Sequence, residues 1–154
     1  MSTNLFAKQL LDETATAAFA TSIAPLLSAG DTLLLEGDIG AGKSAFARAL
    51  IRARLGRMED VPSPTFTLVQ AYETPDVDIW HCDLYRLTHP DEALELGLDE
   101  AFENAICLIE WPDRLGGAVP RAALHLAFLA REDGHHVTVS GPETWAARLG
   151  GLDV

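Results

Sequence analysis

The chain has 154 residues, of which 48% are apolar, and its 11 Lys and Arg residues are outnumbered by 23 Asp and Glu residues, giving a formal charge of −12. This composition predicts one folded domain over residues 1–154, with disorder only at its ends. A surface this acidic repels nucleic-acid phosphates, so direct binding to tRNA is expected to be weak or absent.

The N-terminus and the apolar segments predict the location of the protein. Residues 1–4 lack the basic and long apolar regions of a secretory signal. The longest apolar stretch, residues 122–130, is interrupted by His125 and is too short to span a bilayer. The two cysteines, Cys82 and Cys107, lie in separate apolar segments and are expected to be reduced core thiols. We therefore expect a cytoplasmic protein with no membrane contact.

The first predicted elements surround a glycine-rich loop. Asp12 is expected to cap a helix that Pro25 bends or ends. Residues 32–35 form an apolar run typical of a buried strand, and residues 43–55 have helical spacing. Between that strand and that helix, residues 37–44 read Gly-Asp-Ile-Gly-Ala-Gly-Lys-Ser. This segment matches G-x-x-x-x-G-K-[ST], the phosphate-binding loop of proteins that process nucleoside triphosphates.

Each residue type in this loop has a physical reason. Gly37, Gly40 and Gly42 allow backbone conformations in which successive N–H groups point at phosphate oxygens. Lys43 is expected to place its ammonium group on the β- and γ-phosphates, and the Ser44 hydroxyl is expected to bind Mg²⁺. An ordinary glycine-rich turn would not need the Lys–Ser pair, so the phosphate-binding interpretation is favoured.

The rest of the chain predicts further strands and helices. They are a hairpin of residues 66–72 and 77–82, a helix over 90–102 broken at Gly97, a buried strand at 106–109, a second hairpin of 124–130 and 136–140, and a last helix opened by Pro142. These elements together predict an α/β fold with a mixed sheet.

Acidic side chains at strand ends are candidates to complete a triphosphate site. Glu110 follows the buried strand and is expected to hold Mg²⁺ at the carboxyl edge of the sheet. Asp83 follows the strand that ends at Cys82, and it either orients the attacking water or pairs with Arg86. Thr65 is placed to offer its hydroxyl and N–H groups to the γ-phosphate.

Two features near the loop have two interpretations each. A group of arginines lies on and just after the predicted loop helix: Arg48, Arg52, Arg54 and Arg57. They form either a basic patch that binds an acidic partner or an RNA edge, or a solvated face of the helix. The solvated face is favoured. Trp111 either walls the site or covers the core, and the core is favoured. The five histidines lack metal-ligand spacing, so a zinc site is not expected.

Four segments in one order resemble the TsaE family. They are residues 37–44, Ser-Pro-Thr-Phe-Thr-Leu-Val at 63–69, His-Cys-Asp-Leu-Tyr-Arg-Leu at 81–87 and Ile-Glu-Trp-Pro at 109–112. Family members are bacterial ATPases of the pathway that makes threonylcarbamoyladenosine in tRNA. The resemblance implies a single-domain α/β fold like that of P-loop NTPases, with a mixed sheet of parallel core and antiparallel flanking hairpins, and helices on both faces.

The resemblance also implies ATP and Mg²⁺ as ligands, with Ser44 and Glu110 at the metal. The implied nucleotide contacts are Glu13 beside the base, the loop residues Gly40, Ala41, Gly42, Lys43, Ser44 and Ala45 at the phosphates, and Gly134 in the last hairpin. Lys43, Asp83 and Thr65 are the implied catalytic residues. Family members often carry Gly-Arg at that hairpin turn, whereas this chain has Gly134-His135, so Arg131 is the alternative arginine contact.

The family is known to act with the TsaD and TsaB proteins, where ATP hydrolysis supports repeated tRNA modification. The resemblance therefore implies an ATPase that is slow alone and activated by these partners. Two other functions stay in competition, a small-molecule kinase and an ATP-sensing module without useful hydrolysis. A kinase is disfavoured because residues 114–131 are strand-like and contain no long helical lid. A GTPase is disfavoured because neither lysine lies in an Asn-Lys-x-Asp pattern.

Overall fold

Seven strands form one mixed sheet in the computed structural model, which describes residues 3–38, 40–57, 59–62, 64 and 68–150. The strands are β1 (Thr3–Leu10), β2 (Thr32–Glu36), β3 (Val69–Glu73), β4 (Asp78–Asp83), β5 (Ile106–Glu110), β6 (Leu124–Arg131) and β7 (Gly134–Gly141). Their order is β1-β7-β6-β2-β5-β4-β3. Strands β6, β2, β5 and β4 are parallel to one another, and β1, β7 and β3 pair antiparallel at the two sides. The predicted mixed sheet is confirmed.

The described residues include five α-helices. They are α1 (Glu13–Ile23), α2 (Lys43–Leu55), α3 (Asp91–Glu95), α4 (Leu98–Asn104) and α5 (Thr144–Leu149), with 3₁₀ segments over Ala24–Leu26 and Pro112–Ala118. Oδ1 of Asp12 accepts a hydrogen bond of 2.9 Å from the N–H of Ala15, which caps α1 as predicted. Gly97, with φ of 87°, separates α3 from α4. None of the described helices is both long and apolar enough to cross a bilayer.

The helices cover both faces of the sheet because successive residues of the buried strands point in opposite directions. Leu33 and Leu35 of β2 belong to the core beneath α1 and α2, whereas Leu34 belongs to the core beneath α3 and α4. Cys82 and Cys107 lie in this second core as free thiols. Burial raises the pKa of both thiols, that of Cys107 to about 12. Helices on both faces are thereby confirmed.

Three local predictions were wrong. No strand was predicted before Asp12, but β1 pairs antiparallel with β7 at the edge of the sheet. The first hairpin was expected to run from residue 66, but Leu68 has a left-handed φ of 68° that interrupts extended structure, and β3 begins at Val69; residues 66 and 67 lie outside the described residues. Residues 114–131 were expected to be strand-like throughout, and their first part belongs to the 3₁₀ segment Pro112–Ala118.

Candidate nucleotide-binding site

The glycine-rich loop joins the end of β2 to the start of α2. Gly37, Gly40 and Gly42 have φ of +140°, +86° and +109°, which residues with side chains rarely adopt. A Cβ atom on Gly37 would lie 2.5 Å from the carbonyl oxygen of Phe128, and one on Gly42 would lie 2.9 Å from Nδ1 of His135. Glycine is therefore required here both by the backbone conformation and by the strands that approach the loop.

A cavity of about 580 Å³ lies beside this loop. Its walls come from the start of α1, the loop and first turns of α2, the carboxyl ends of β4 and β5, and the β6–β7 turn. The predicted site residues that line it are Glu13, Gly40, Gly42, Lys43, Ser44, Ala45, Asp83, Glu110 and Gly134. Ala41 is buried at 1% exposure and is not part of the lining. Thr65 lies outside the described residues. The volume is within the range of small-molecule sites.

Lys43 is a buried cation without a hydrogen-bond partner. Its side chain is 4% exposed, and its Nζ atom has no partner among the described residues. The ammonium group lies 3.9 Å from the centre of the Trp111 ring. Burial lowers the pKa of Lys43, although the carboxylates of Glu110 and Asp83 act in the opposite direction. An unpaired buried ammonium at the start of a helix fits a site for phosphate groups.

Two oxygen-bearing side chains meet at the carboxyl end of β5. Ser44 Oγ donates a hydrogen bond of 3.3 Å to Oε1 of Glu110, which is 3% exposed. Magnesium prefers oxygen ligands and takes only one or two from the protein, with phosphates and water completing its shell. Among the residues that the structure describes, no group of three His, Cys, Asp or Glu side chains forms a metal cage. The Ser44–Glu110 pair fits Mg²⁺ held together with a nucleotide.

Comparison with known proteins identifies the family. Residues 10–137 match the profile of the family described as "Threonylcarbamoyl adenosine biosynthesis protein TsaE". The chain belongs to the TsaE family. Its members function in the biosynthesis of threonylcarbamoyladenosine in tRNA, and the resemblance seen in the four sequence segments is confirmed.

Relatives and a solved structure agree with this assignment. The TsaE protein of Rickettsia bellii is 40% identical over 124 residues, which cover 80% of this chain and 86% of that protein. The TsaE protein of Bacillus subtilis is 37% identical, with coverage of 80% and 77%. The crystal structure of YdiB from Bacillus subtilis superposes with a TM-score of 0.80 at 28% identity, covering 97% of this chain and 93% of that chain.

Within this TsaE fold, the carboxyl end of β4 places Asp83 next to the Ser44–Glu110 pair. Asp83 is 7% exposed, lies opposite Glu110 in the β4–β5 register, and accepts a hydrogen bond of 3.1 Å from the backbone N–H of Tyr85. Arg86 lines the same cavity. The two roles considered for Asp83, orientation of water and pairing with Arg86, both stay predictions.

Several residues of the TsaE site were missed or misread in the sequence. Trp111, for which the core was favoured, both packs against the second core and lines the cavity, and its ring lies 4.9 Å from that of Tyr85. His81 was given no role, although it contacts Glu110. A signal for His81 was available, because it lies two residues before Asp83 and so on the same face of β4. Arg131 is exposed and does not line the cavity, whereas His135 does.

The arginines on and just after α2 contact neighbouring groups, and of the four only Arg57 is exposed. Arg48 donates to the carbonyl oxygen of Val61, and Arg52 donates to that of Glu59. Arg54 and Arg57 form ion pairs of 3.0 Å with Asp76 and 2.6 Å with Glu59, respectively. Arg48, Arg52 and Arg54 thus tie the helix that follows the glycine-rich loop to neighbouring segments, whereas Arg57, beyond the end of the helix, pairs with Glu59 two residues along the chain.

Proposed function

We propose that this chain is a magnesium-dependent ATPase that supports threonylcarbamoyladenosine synthesis by acting on a complex of TsaB and TsaD. The observation that carries the proposal is the buried ammonium of Lys43, which faces a cavity with no hydrogen-bond partner among the described residues. Such a charge is costly unless a ligand pairs with it. A triphosphate supplies that negative charge at the start of α2.

The loop and Lys43 bind and orient the phosphates. Bare backbone at Gly40 and Gly42 leaves room for phosphate oxygens against the loop N–H groups. Lys43 then moves its ammonium from the Trp111 ring to the phosphates, where it offsets the negative charge that develops during phosphoryl transfer. Because this site is walled by the apolar side chains of Trp111 and Tyr85, the attraction is less screened than in water.

Glu110 and Ser44 would hold the metal, and Asp83 lies where it can orient water. Mg²⁺ held by these residues would supply positive charge that offsets part of the phosphate charge. Glu110 and Ser44 present adjacent oxygens at the end of β5 and the start of α2. Asp83, held by the N–H of Tyr85, adds a second carboxylate at the same edge. Thr65 remains a second candidate for orienting water.

We assign Glu13 and Gly134, which also line the cavity, to the nucleoside. Glu13 begins α1 and Gly134 begins β7, so the base would lie between two elements that are far apart in the sequence. A carboxylate such as that of Glu13 accepts hydrogen bonds from the amino group of adenine. ATP rather than GTP is proposed as the nucleotide because neither lysine of the chain lies in an Asn-Lys-x-Asp pattern.

The charge of the chain supports a protein partner. With a formal charge of −12, the chain is expected to have little affinity for tRNA. Affinity for nucleic acid depends on basic residues that release the counterions condensed on the phosphates. An ATPase with such a surface is better suited to resetting a protein complex than to modifying tRNA itself. TsaB and TsaD are proposed as that complex.

Magnesium-dependent ATP hydrolysis by the purified chain, alone and with TsaB and TsaD, tests the proposal. We expect slow hydrolysis alone and clear stimulation by the partners. Lys43→Ala should lower the rate by about 100-fold or more, as for loss of one transition-state contact. Lys8→Ala, which removes the other lysine of the chain, should leave the rate unchanged.

Each alternative function gives a different result in the same assay. Phosphate transferred to a metabolite instead of water would indicate a kinase. Tight ATP binding with no turnover in the presence of both partners would indicate an ATP-sensing module. Unchanged hydrolysis by Lys43→Ala would show that the site is elsewhere.

A further inference from the structure

A buried histidine lies directly behind the proposed magnesium ligand Glu110. His81 is 2% exposed, and its Nε2 atom lies 2.7 Å from Oε2 of Glu110. Its second ring nitrogen, Nδ1, is buried and has no hydrogen-bond partner among the described residues. The function proposed above gives no role to this side chain.

The contact is built into the register of two parallel strands. Residue His81 of β4 lies opposite Leu108 of β5, and Asp83 lies opposite Glu110. Residues two apart on a strand share a face, so His81, Asp83 and Glu110 all point to the side of the sheet that carries α2. The imidazole therefore reaches the carboxylate diagonally across two strands that are buried at this point.

The hydrogen-bond pattern assigns the proton of the imidazole. A carboxylate only accepts hydrogen bonds, so Nε2 carries the hydrogen that it donates to Oε2 of Glu110. The other ring nitrogen, Nδ1, has no hydrogen-bond partner among the described residues.

The two oxygens of Glu110 therefore have different partners. Oε2 is held by His81 in the interior, and Oε1 faces Ser44 at the cavity. A carboxylate held in this way has one rotamer and presents one oxygen to a metal ion. Outer contacts of this type set the orientation of metal-binding side chains in proteins.

We propose that His81 is a positioning residue that fixes the Glu110 carboxylate for magnesium. The inference rests on the proposed function, because it assigns Glu110 to the metal. His81 is expected to change the affinity for Mg²⁺ but not the affinity for the nucleotide in the absence of metal. An apolar side chain of similar size would fill the same space without fixing Glu110.

Calorimetric titration tests this with a non-hydrolysable ATP analogue. The analogue is first titrated in EDTA, and Mg²⁺ is then titrated into protein saturated with the analogue. His81→Leu should weaken Mg²⁺ binding by about 10- to 100-fold, the usual effect of losing such an outer contact. The affinity for the analogue in EDTA should stay within about twofold, since the hydrogen bond lost is to the metal ligand.

Two polar variants show whether the hydrogen bond itself matters. His81→Gln can place its amide nitrogen near the position of Nε2 and should restore most of the Mg²⁺ affinity. His81→Asn is too short to reach Glu110 and should behave like His81→Leu. His89→Leu makes the same replacement at a histidine that is 66% exposed and should bind Mg²⁺ as the native chain does. The Gln and Asn pair decides the question if His81→Leu does not fold.

The outcomes separate this inference from the proposed function. If the native chain does not bind the analogue, the proposed function is wrong. If the native chain binds the analogue and Mg²⁺, but His81→Leu or His81→Asn binds Mg²⁺ equally well, only the role of His81 is wrong. An equal loss of analogue affinity in EDTA would also overturn it, because His81 would then support the fold of the whole site.

Discussion

At the scale of one residue, the unpaired ammonium of Lys43 is expected to lower the stability of the ligand-free protein. Its ammonium is buried, lacks a hydrogen-bond partner among the described residues, and lies 3.9 Å from the centre of the Trp111 ring. Leaving a buried polar group unpaired costs about 1–3 kcal/mol, and a cation–π contact returns part of it. The lowered pKa of Lys43 is consistent with this cost, since burial makes the charged form less favourable here than in water.

Replacing Lys43 with methionine should therefore stabilise the chain in the absence of nucleotide. Lys43→Met keeps the apolar stem of the side chain and removes the charge, so we expect about 1 kcal/mol of added stability, or a rise of about 2–4 °C in Tm. Thermal unfolding measures this, and the same variant should lose ATP binding. Lys8→Met, which removes a charge from a half-buried position on β1, should not raise the Tm. An unchanged or lower Tm for Lys43→Met would contradict the argument.

The connection between β2 and α2 is the element on which the site depends most. It turns next to β6, and Gly37 lies so close to Phe128 that a Cβ atom on Gly37 would be 2.5 Å from the carbonyl oxygen of Phe128. Backbone cannot move aside as a side chain can. The loop and β6 are thus fitted to each other, and β6 in turn carries the hairpin that forms one wall of the cavity.

Gly37→Ala should therefore destabilise the fold and weaken ATP binding together. We expect a loss of about 1–3 kcal/mol, since alanine at this φ is strained and the clash adds to that strain. Urea unfolding gives the stability and calorimetry gives the binding. Gly117→Ala is the matched control, because Gly117 has open space around its Cβ position and no positive φ. Equal stabilities of the two variants would show that the loop adjusts to the added carbon.

Sequence patterns predicted the elements whose signals are local. Asp12 was identified as a cap because its side chain binds a backbone group three residues away, and β5 was predicted because every residue in it is apolar up to Glu110. β1 was missed because it is an edge strand with weak alternation, formed through pairing with β7 more than 120 residues later. His81 was missed for a similar reason, since its contact with Glu110 depends on the register between β4 and β5.

At the scale of the whole molecule, the excess of acidic residues and the engagement of the α2 arginines act together. The formal charge is −12, and the basic residues closest to the loop are bound to Val61, Glu59 and Asp76. Ion-paired groups such as Arg54 and Arg57 release few counterions on meeting RNA, whereas Arg48 and Arg52 donate to neutral carbonyl oxygens and keep their charge. The excess of acidic residues over the whole chain therefore outweighs the positive charge of these arginines.

The purified chain should accordingly not bind tRNA tightly. At about 0.1 M salt, where charge is screened beyond about 10 Å, we expect no retention of tRNA in a filter-binding or native-gel assay at micromolar protein. Arg57→Ala removes an exposed arginine of the group and should leave this result unchanged. Tight retention of tRNA that is lost in Arg57→Ala would show instead that the arginines form an RNA surface.

The stacking of Lys43 on Trp111 has an optical consequence. The emission of an indole ring depends on nearby charge, and an ammonium 3.9 Å from the ring centre is a strong local influence. When Lys43 turns to a phosphate, that influence is withdrawn from Trp111. Trp80 and Trp145 line no part of the cavity and would be insensitive to this movement. With the proposed phosphate binding, the emission of Trp111 is expected to change as the ligand arrives, without any added dye.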